Sequence, residues 1–167
     1  MTMTKRTRQY LGIIAAVAAY YLVHEGAHLV YALWAGVFKR LRFMGLGVQG
    51  DVYAERMTDP ALGVFCLVGA LATLCAGYLL TALAPKVCRA KSKLLRAIFY
   101  YITIAFLFLD PLYLSVLCGF FGGGDMNGIA LLAPEWAARC LFGVLLVVNG
   151  IVFWKRLLPI YKESFAE

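Results

Sequence analysis

The chain has 167 residues, of which 63% are hydrophobic and only 15% charged, with a mean hydropathy of +0.79. A water-soluble domain of this length has no interior large enough for that much apolar side chain, so the composition excludes an ordinary soluble enzyme and implies an all-α membrane protein folded as one domain over residues 1–167. The net charge of +7 does not indicate nucleic acid, because the basic residues cluster beside hydrophobic runs, as membrane topology and anionic lipid require.

Lys5, Arg6 and Arg8 precede a first apolar span over residues 10–38. Ala16-Val17-Ala18 superficially resembles a secretory cleavage site. Apolar sequence continues well past it, and a cut there would remove half of the helix that follows, so the span is expected to be retained. At more than the ~20 residues a bilayer needs, it can tilt or extend beyond the hydrocarbon. Inside it stands His24-Glu25-Gly26-Ala27-His28, holding the only two histidines of the chain. Ionisable groups at membrane depth are costly and mark function. On a helix His24 and His28 share one face, so both rings can reach one metal ion, with Glu25 beside the first ligand as a general base.

Residues 39–59 change character. Apolar and polar side chains partly alternate and glycines punctuate the run, which fits a short β-hairpin or re-entrant strand pair; a polar interfacial loop fits as well. Asp51, Glu55 and Asp59 read as solvated. A second span over residues 61–84 lies between Pro60 and Pro85 and carries Gly63, Gly69 and Gly77 as close-packing positions. The basic residues Lys86, Arg89, Lys91, Lys93 and Arg96 follow and read as a solvated loop facing headgroups.

A third span over residues 94–121 is interrupted by Asp110-Pro111, where the missing backbone donor is expected to kink the helix. Gly122-Gly123-Gly124 then permits unwound backbone, and Asp125 can cap the short helix after it. In the fourth span, residues 136–158, Asn149 is the one strongly polar interior residue and suits a hydrogen bond between helices or a place facing the active-site cavity. Trp136, Trp154 and Tyr161 suit interfacial anchors. The five cysteines have no C-x-x-C spacing and read as small buried hydrophobes. Eleven basic residues fall on the side of the two termini and five on the other, which places both termini in the cytoplasm.

A catalytic zinc takes three protein ligands and a water, whose pKa it lowers to about 7. His24 and His28 supply two. Two candidates stand for the third: Asp110 by depth in its span, and Asp125 by its glycine-rich setting, which can line a polar cavity.

The H-E-G-A-H first helix, the β-prone loop, the glycine-bearing span and the late aspartate together resemble the site-2 protease family of intramembrane zinc metallopeptidases, specifically a small divergent branch. The specific part of the resemblance is H-E-G-A-H; the rest is layout over about residues 10–149. It implies Zn²⁺ as cofactor, His24 and His28 as ligands, Glu25 as catalytic base and a late aspartate as third ligand. Asp125 matches best, with Asp110 the alternate, although Met126 stands where the family usually has glycine. The family typically holds its metal near the cytoplasmic face, with the motif helix entering from outside, the reverse of the charge count. The implied substrate is a transmembrane segment of another membrane protein, unwound and held extended against residues 41–53. No regulatory domain is recognisable, so control would come from a membrane partner or from a first cut made in the substrate by another protease. Two other readings of the same residues are a non-catalytic metal-binding membrane protein and a small ion or proton transporter subunit in which His24, Glu25 and Asp110 form a relay.

Overall fold

The fold follows from four apolar helices whose contact faces are small enough for close approach. The structure, a computed structural model, describes residues 3–44 and 47–166. Helix α1 (Lys5–Trp34) starts where the Thr4 side chain accepts from the Thr7 N–H, and it leads into strands β1 (Phe38–Met44) and β2 (Gly47–Val52). The strands pair antiparallel, with Leu41 opposite Gly50, and a register irregularity falls between Phe38 and Arg40. The segment is therefore a hairpin, not an irregular polar loop. Arg40 and Arg42 both reach Asp51, at 3.0 and 3.1 Å, and the hydrogen bond from Arg40 holds the Asp51 carboxyl below the usual carboxylate range.

Helix α2 (Asp59–Val87) is capped by Thr58 and takes Pro60 into its first turn, where the missing N–H costs nothing. Pro85 lies inside its last turn. Helix α3 (Lys93–Leu112) is capped by Ser92 and runs on through a π-turn over Tyr113–Leu117. The break expected at Asp110-Pro111 takes this form: Pro111 stays helical, and its carbonyl accepts from the Ser115 hydroxyl at 2.5 Å. A short helix α4 (Asp125–Ile129) follows the glycine run. Helix α5 (Glu135–Val152) continues through a second π-turn, Phe153–Leu157, into α6 (Leu158–Ala166), farther than residue 158 where the apolar run ends.

Four helical stretches are long and apolar enough to cross a membrane: Lys5–Trp34, Asp59–Val87, Lys93–Leu117 and Glu135–Ala166. Gly12 of α1 meets Ala97 and Tyr101 of α3, while Gly77 of α2 meets Phe106 and Leu107. Added Cβ atoms there would lie 2.5 to 3.2 Å from these neighbours, so glycine is what lets the backbones approach. Helices α1 and α3 run parallel and in direct contact, and α2 runs antiparallel to both and packs against each. Large apolar side chains such as Leu22, Trp34, Phe120 and Trp154 stand exposed on the outside.

Three sequence expectations change. Tyr161 is not an interfacial anchor; at 1% exposure it packs with Ala84 and Leu157, because α6 folds its ring against α2 and α3. Arg96 is not a solvated loop residue; it lies in the first turn of α3, buried, with a guanidinium N–H donating to the Ser164 carbonyl. The cysteines divide: Cys118 is buried, whereas Cys75 and Cys140 are exposed on outward faces.

Asn149 does tie helices together. Its amide donates to the Leu107 carbonyl and its oxygen accepts from the Tyr78 hydroxyl, joining α5 to α3 and α2. Asn149 is fully buried, and Asn149→Ala would remove both bonds, leaving the Leu107 carbonyl unsatisfied in the interior. The expected cost is about 1–2 kcal/mol, read as a lower unfolding temperature in detergent with metal content per chain unchanged.

Candidate metal centre

The site is assembled by three elements. One turn of α1 places His24 and His28, both buried, on the face toward α2. On α2, Gly69 passes directly beneath them: an added Cβ would lie 2.5 Å from His28 Nε2 and 2.8 Å from His24 Nε2. The third element is the glycine run. Gly122, Gly123 and Gly124 have φ of +85°, +86° and +49°, values that side-chain-bearing residues rarely adopt. A Cβ on Gly124 would meet the Tyr113 hydroxyl at 2.6 Å. This left-handed path delivers Asp125 to the histidines. Asp125 is the first residue of α4, yet its side chain does not cap that helix. It turns inward instead, so the capping role expected for it is not what the fold uses.

His24 Nε2 lies 3.1 Å from Asp125 Oδ2 and 3.2 Å from His28 Nε2, and His28 Nε2 lies 3.6 Å from Asp125 Oδ2. One donor atom from each residue falls within 4.8 Å of the others, and the group can hold a metal ion.

The surroundings decide which ring nitrogens carry protons. His28 Nδ1 is 2.7 Å from the Phe65 carbonyl oxygen, which can only accept; Nδ1 therefore donates and Nε2 keeps its lone pair. His24 Nδ1 faces Asp110 Oδ1 at 3.2 Å, off the line of an ideal hydrogen bond. A proton there is favoured by the carboxylate, again leaving Nε2 bare. With both Nδ1 atoms protonated, His24 Nε2, His28 Nε2 and Asp125 Oδ2 can turn three lone pairs toward one point, an arrangement that a cation stabilises.

Asp110 is placed differently from Asp125. It is 2% exposed and sits behind the His24 ring. Its Oδ1 accepts from the Tyr20 hydroxyl at 2.6 Å and its Oδ2 from the Thr73 hydroxyl. Both oxygens are thus engaged by hydroxyls on the Nδ1 side of His24, away from the two Nε2 atoms. The Tyr20 ring also stacks on His24, with centroids 5.3 Å apart.

Glu25 lies on a different face of α1, one residue further round the helix. It lines a cavity of about 680 Å³ between α1 and the hairpin, whose walls include Ile14, Val17, Leu22, Leu29, Leu41 and Gly50. Among the described residues Glu25 is the one charged residue lining it, and its charge acts on His24, His28 and Asp125. Asp51 faces Arg40 and Arg42, away from the cluster, while Glu55 and Asp59 are exposed.

Tyr20, Gly69 and Thr73 do not stand out as site residues in the sequence. Tyr20 lies four residues before His24, so helical spacing alone puts it on the same face. Gly69 and Thr73 are likewise four apart on α2, but nothing local distinguishes them from ordinary small residues of a packed span.

Comparison with protein-family models, with curated proteins and with solved structures finds no match.

Two substitutions test the arrangement by metal titration of the purified protein. Gly69→Ala drives a methyl group into both ring nitrogens and is expected to weaken metal binding by at least about tenfold, as misplaced ligands do. Asp110→Asn keeps the shape but not the charge behind His24. It is expected to weaken affinity by about 10–100-fold while leaving one ion bound per chain at saturation.

Proposed function

We propose that the chain is an intramembrane zinc metalloprotease, multi-pass in the bilayer, that hydrolyses a peptide bond in or near a transmembrane segment of another protein. The observation that carries this reading is the triangle of His24 Nε2, His28 Nε2 and Asp125 Oδ2. Zinc bonds to nitrogen and oxygen ligands of roughly 2.0–2.1 Å make a tetrahedron with edges of about 3.3 Å. The three observed edges are 3.1, 3.2 and 3.6 Å. Two imidazoles and a carboxylate also form a donor set typical of catalytic rather than structural zinc. The layout resembles that of the site-2 protease family, with Asp125 in the position of the late aspartate.

Bound there, zinc supplies a Lewis acid that polarises a substrate carbonyl and acidifies a water. The chain supplies the rest. Glu25 stands beside His24, at the inner edge of the cavity, and its carboxylate oxygen would take the proton of the attacking water and return it to the leaving amine nitrogen. Asp110, held by Tyr20 and Thr73, keeps the His24 ring fixed with Nδ1 protonated, so that Nε2 stays a ligand. The apolar cavity suits a membrane segment that has lost its helical hydrogen bonds, and the hairpin offers strand backbone for it to pair with.

Glu25→Gln is the variant that separates catalysis from metal binding. In proteoliposomes with a panel of labelled single-span peptides, the wild type is expected to release cleaved fragments. Glu25→Gln should release fewer by at least about a hundredfold, with one zinc per chain still bound. Undiminished cleavage by Glu25→Gln would remove the catalytic reading, and bound zinc without any cleavage would favour a metal-binding role. A second variant tests the cavity. A Cβ at Gly50 meets nothing within 4 Å, so Gly50→Leu extends into open space without disturbing the metal ligands. It is expected to raise KM for the cleaved peptide several-fold, with zinc content unchanged.

A further inference from the structure

The opposite end of the bundle holds a second cavity, of about 510 Å³, enclosed by the N-terminal turns of α1 and α3 and by α6. Three cations line it: Lys5 and Arg8 of α1 and Lys162 of α6. Its floor is aromatic, from Tyr100, Tyr101 and Phe165. Among the described residues no acidic side chain lines it. The Lys and Arg ion pairs among the described residues lie at the other end, on Asp51 and Glu135.

A fourth cation lies underneath. Arg96 is 5% exposed, its guanidinium stands 6.0 Å from the centroid of the Phe165 ring, and its Nε has no hydrogen-bond partner among the described residues. No carboxylate of the described residues comes within ion-pair distance of it. Four positive charges thus gather around one half-enclosed space without a counter-charge among the described residues. At a membrane boundary, where the effective dielectric is well below that of water, this arrangement repels itself and favours an anion. The exposed Lys86, Arg89 and Lys91 crowd the same end of the bundle.

We propose that this cavity is a binding site for the phosphate of an anionic phospholipid. The phosphate diester sits among Lys5, Arg8 and Lys162, and the glycerol and upper acyl chain lie on the aromatic floor. The floor and the position at the ends of membrane-length helices select a lipid over a soluble anion. Basic pockets between membrane helices recognise headgroups in this way. The site is separate from the metal centre and does not depend on proteolysis.

The test is native mass spectrometry of the full-length, delipidated protein in detergent, offered phosphatidylglycerol, phosphatidylcholine or inorganic phosphate. One phosphatidylglycerol per chain is expected, retained about tenfold or more over phosphatidylcholine. At about fivefold per cation, the triple variant Lys5→Gln, Arg8→Gln, Lys162→Gln loses that preference. The matched triple Lys86→Gln, Arg89→Gln, Lys91→Gln, at the same end but outside the cavity, keeps it. Should the first triple variant fail to fold, Arg8→Gln alone is expected to weaken retention about fivefold, and Lys162→Arg to retain it. Equal retention of the two lipids, equal loss in both triple variants, or no loss on neutralising the cavity would overturn the proposal. Displacement of the lipid by inorganic phosphate at matched concentration would also overturn it, by making the site one for free anions.

Discussion

Everything around α1 answers one electrostatic constraint: two imidazole nitrogens and a carboxylate oxygen are held 3.1 to 3.6 Å apart in an apolar interior. With all three lone pairs free they would repel, and the low dielectric would magnify the repulsion, so a shared proton or a cation belongs between them. The fold nevertheless fixes them there. The Phe65 carbonyl orients one ring and Asp110 the other, while Tyr20 and Thr73 hold Asp110. Such outer partners give a metal site its geometry before the ion arrives.

Glycine makes the approach possible in two different ways. At Gly69 the requirement is space, since any side chain would occupy the volume of the ring nitrogens. At Gly122 to Gly124 the requirement is conformation, since three successive positive φ values turn the chain back toward the bundle. The first kind of glycine brings α2 under the histidines and the second brings Asp125 over them. The candidate metal centre consequently depends on residues with no donor atoms of their own.

The histidines and Glu25 are legible in the sequence because helical periodicity alone puts a motif at that spacing on adjoining faces. The four long apolar helices are legible from hydropathy, and the role of Asn149 from its isolation in an apolar run. The aspartates are harder. Asp110 and Asp125 are both carboxylates near apolar segments, and only the path of the backbone through the glycines separates the one that meets the Nε2 atoms from the one behind the ring. The hairpin is balanced against a loop because alternation over so few residues is a weak signal, and tertiary contact with α1 decides it. Arg96 and Tyr161 mislead for a common reason: α6 folds back over the start of α3, and no local pattern announces a contact between residues nearly seventy positions apart.

The position of the centre also bears on topology. His24 and His28 lie nearer the C-terminal end of α1 and the hairpin than the basic end of the bundle. If the basic end faces the cytoplasm, the candidate metal centre lies toward the other side. The coordination itself does not depend on that choice. It is tested most directly by zinc X-ray absorption spectroscopy on the purified wild type and on Asp125→Ala. The account predicts two imidazole nitrogens and a carboxylate oxygen at roughly 2.0–2.2 Å in the wild type, with the carboxylate contribution lost in the variant. A protein that binds no stoichiometric zinc, or a coordination shell unchanged by removal of the Asp125 carboxylate, would contradict it.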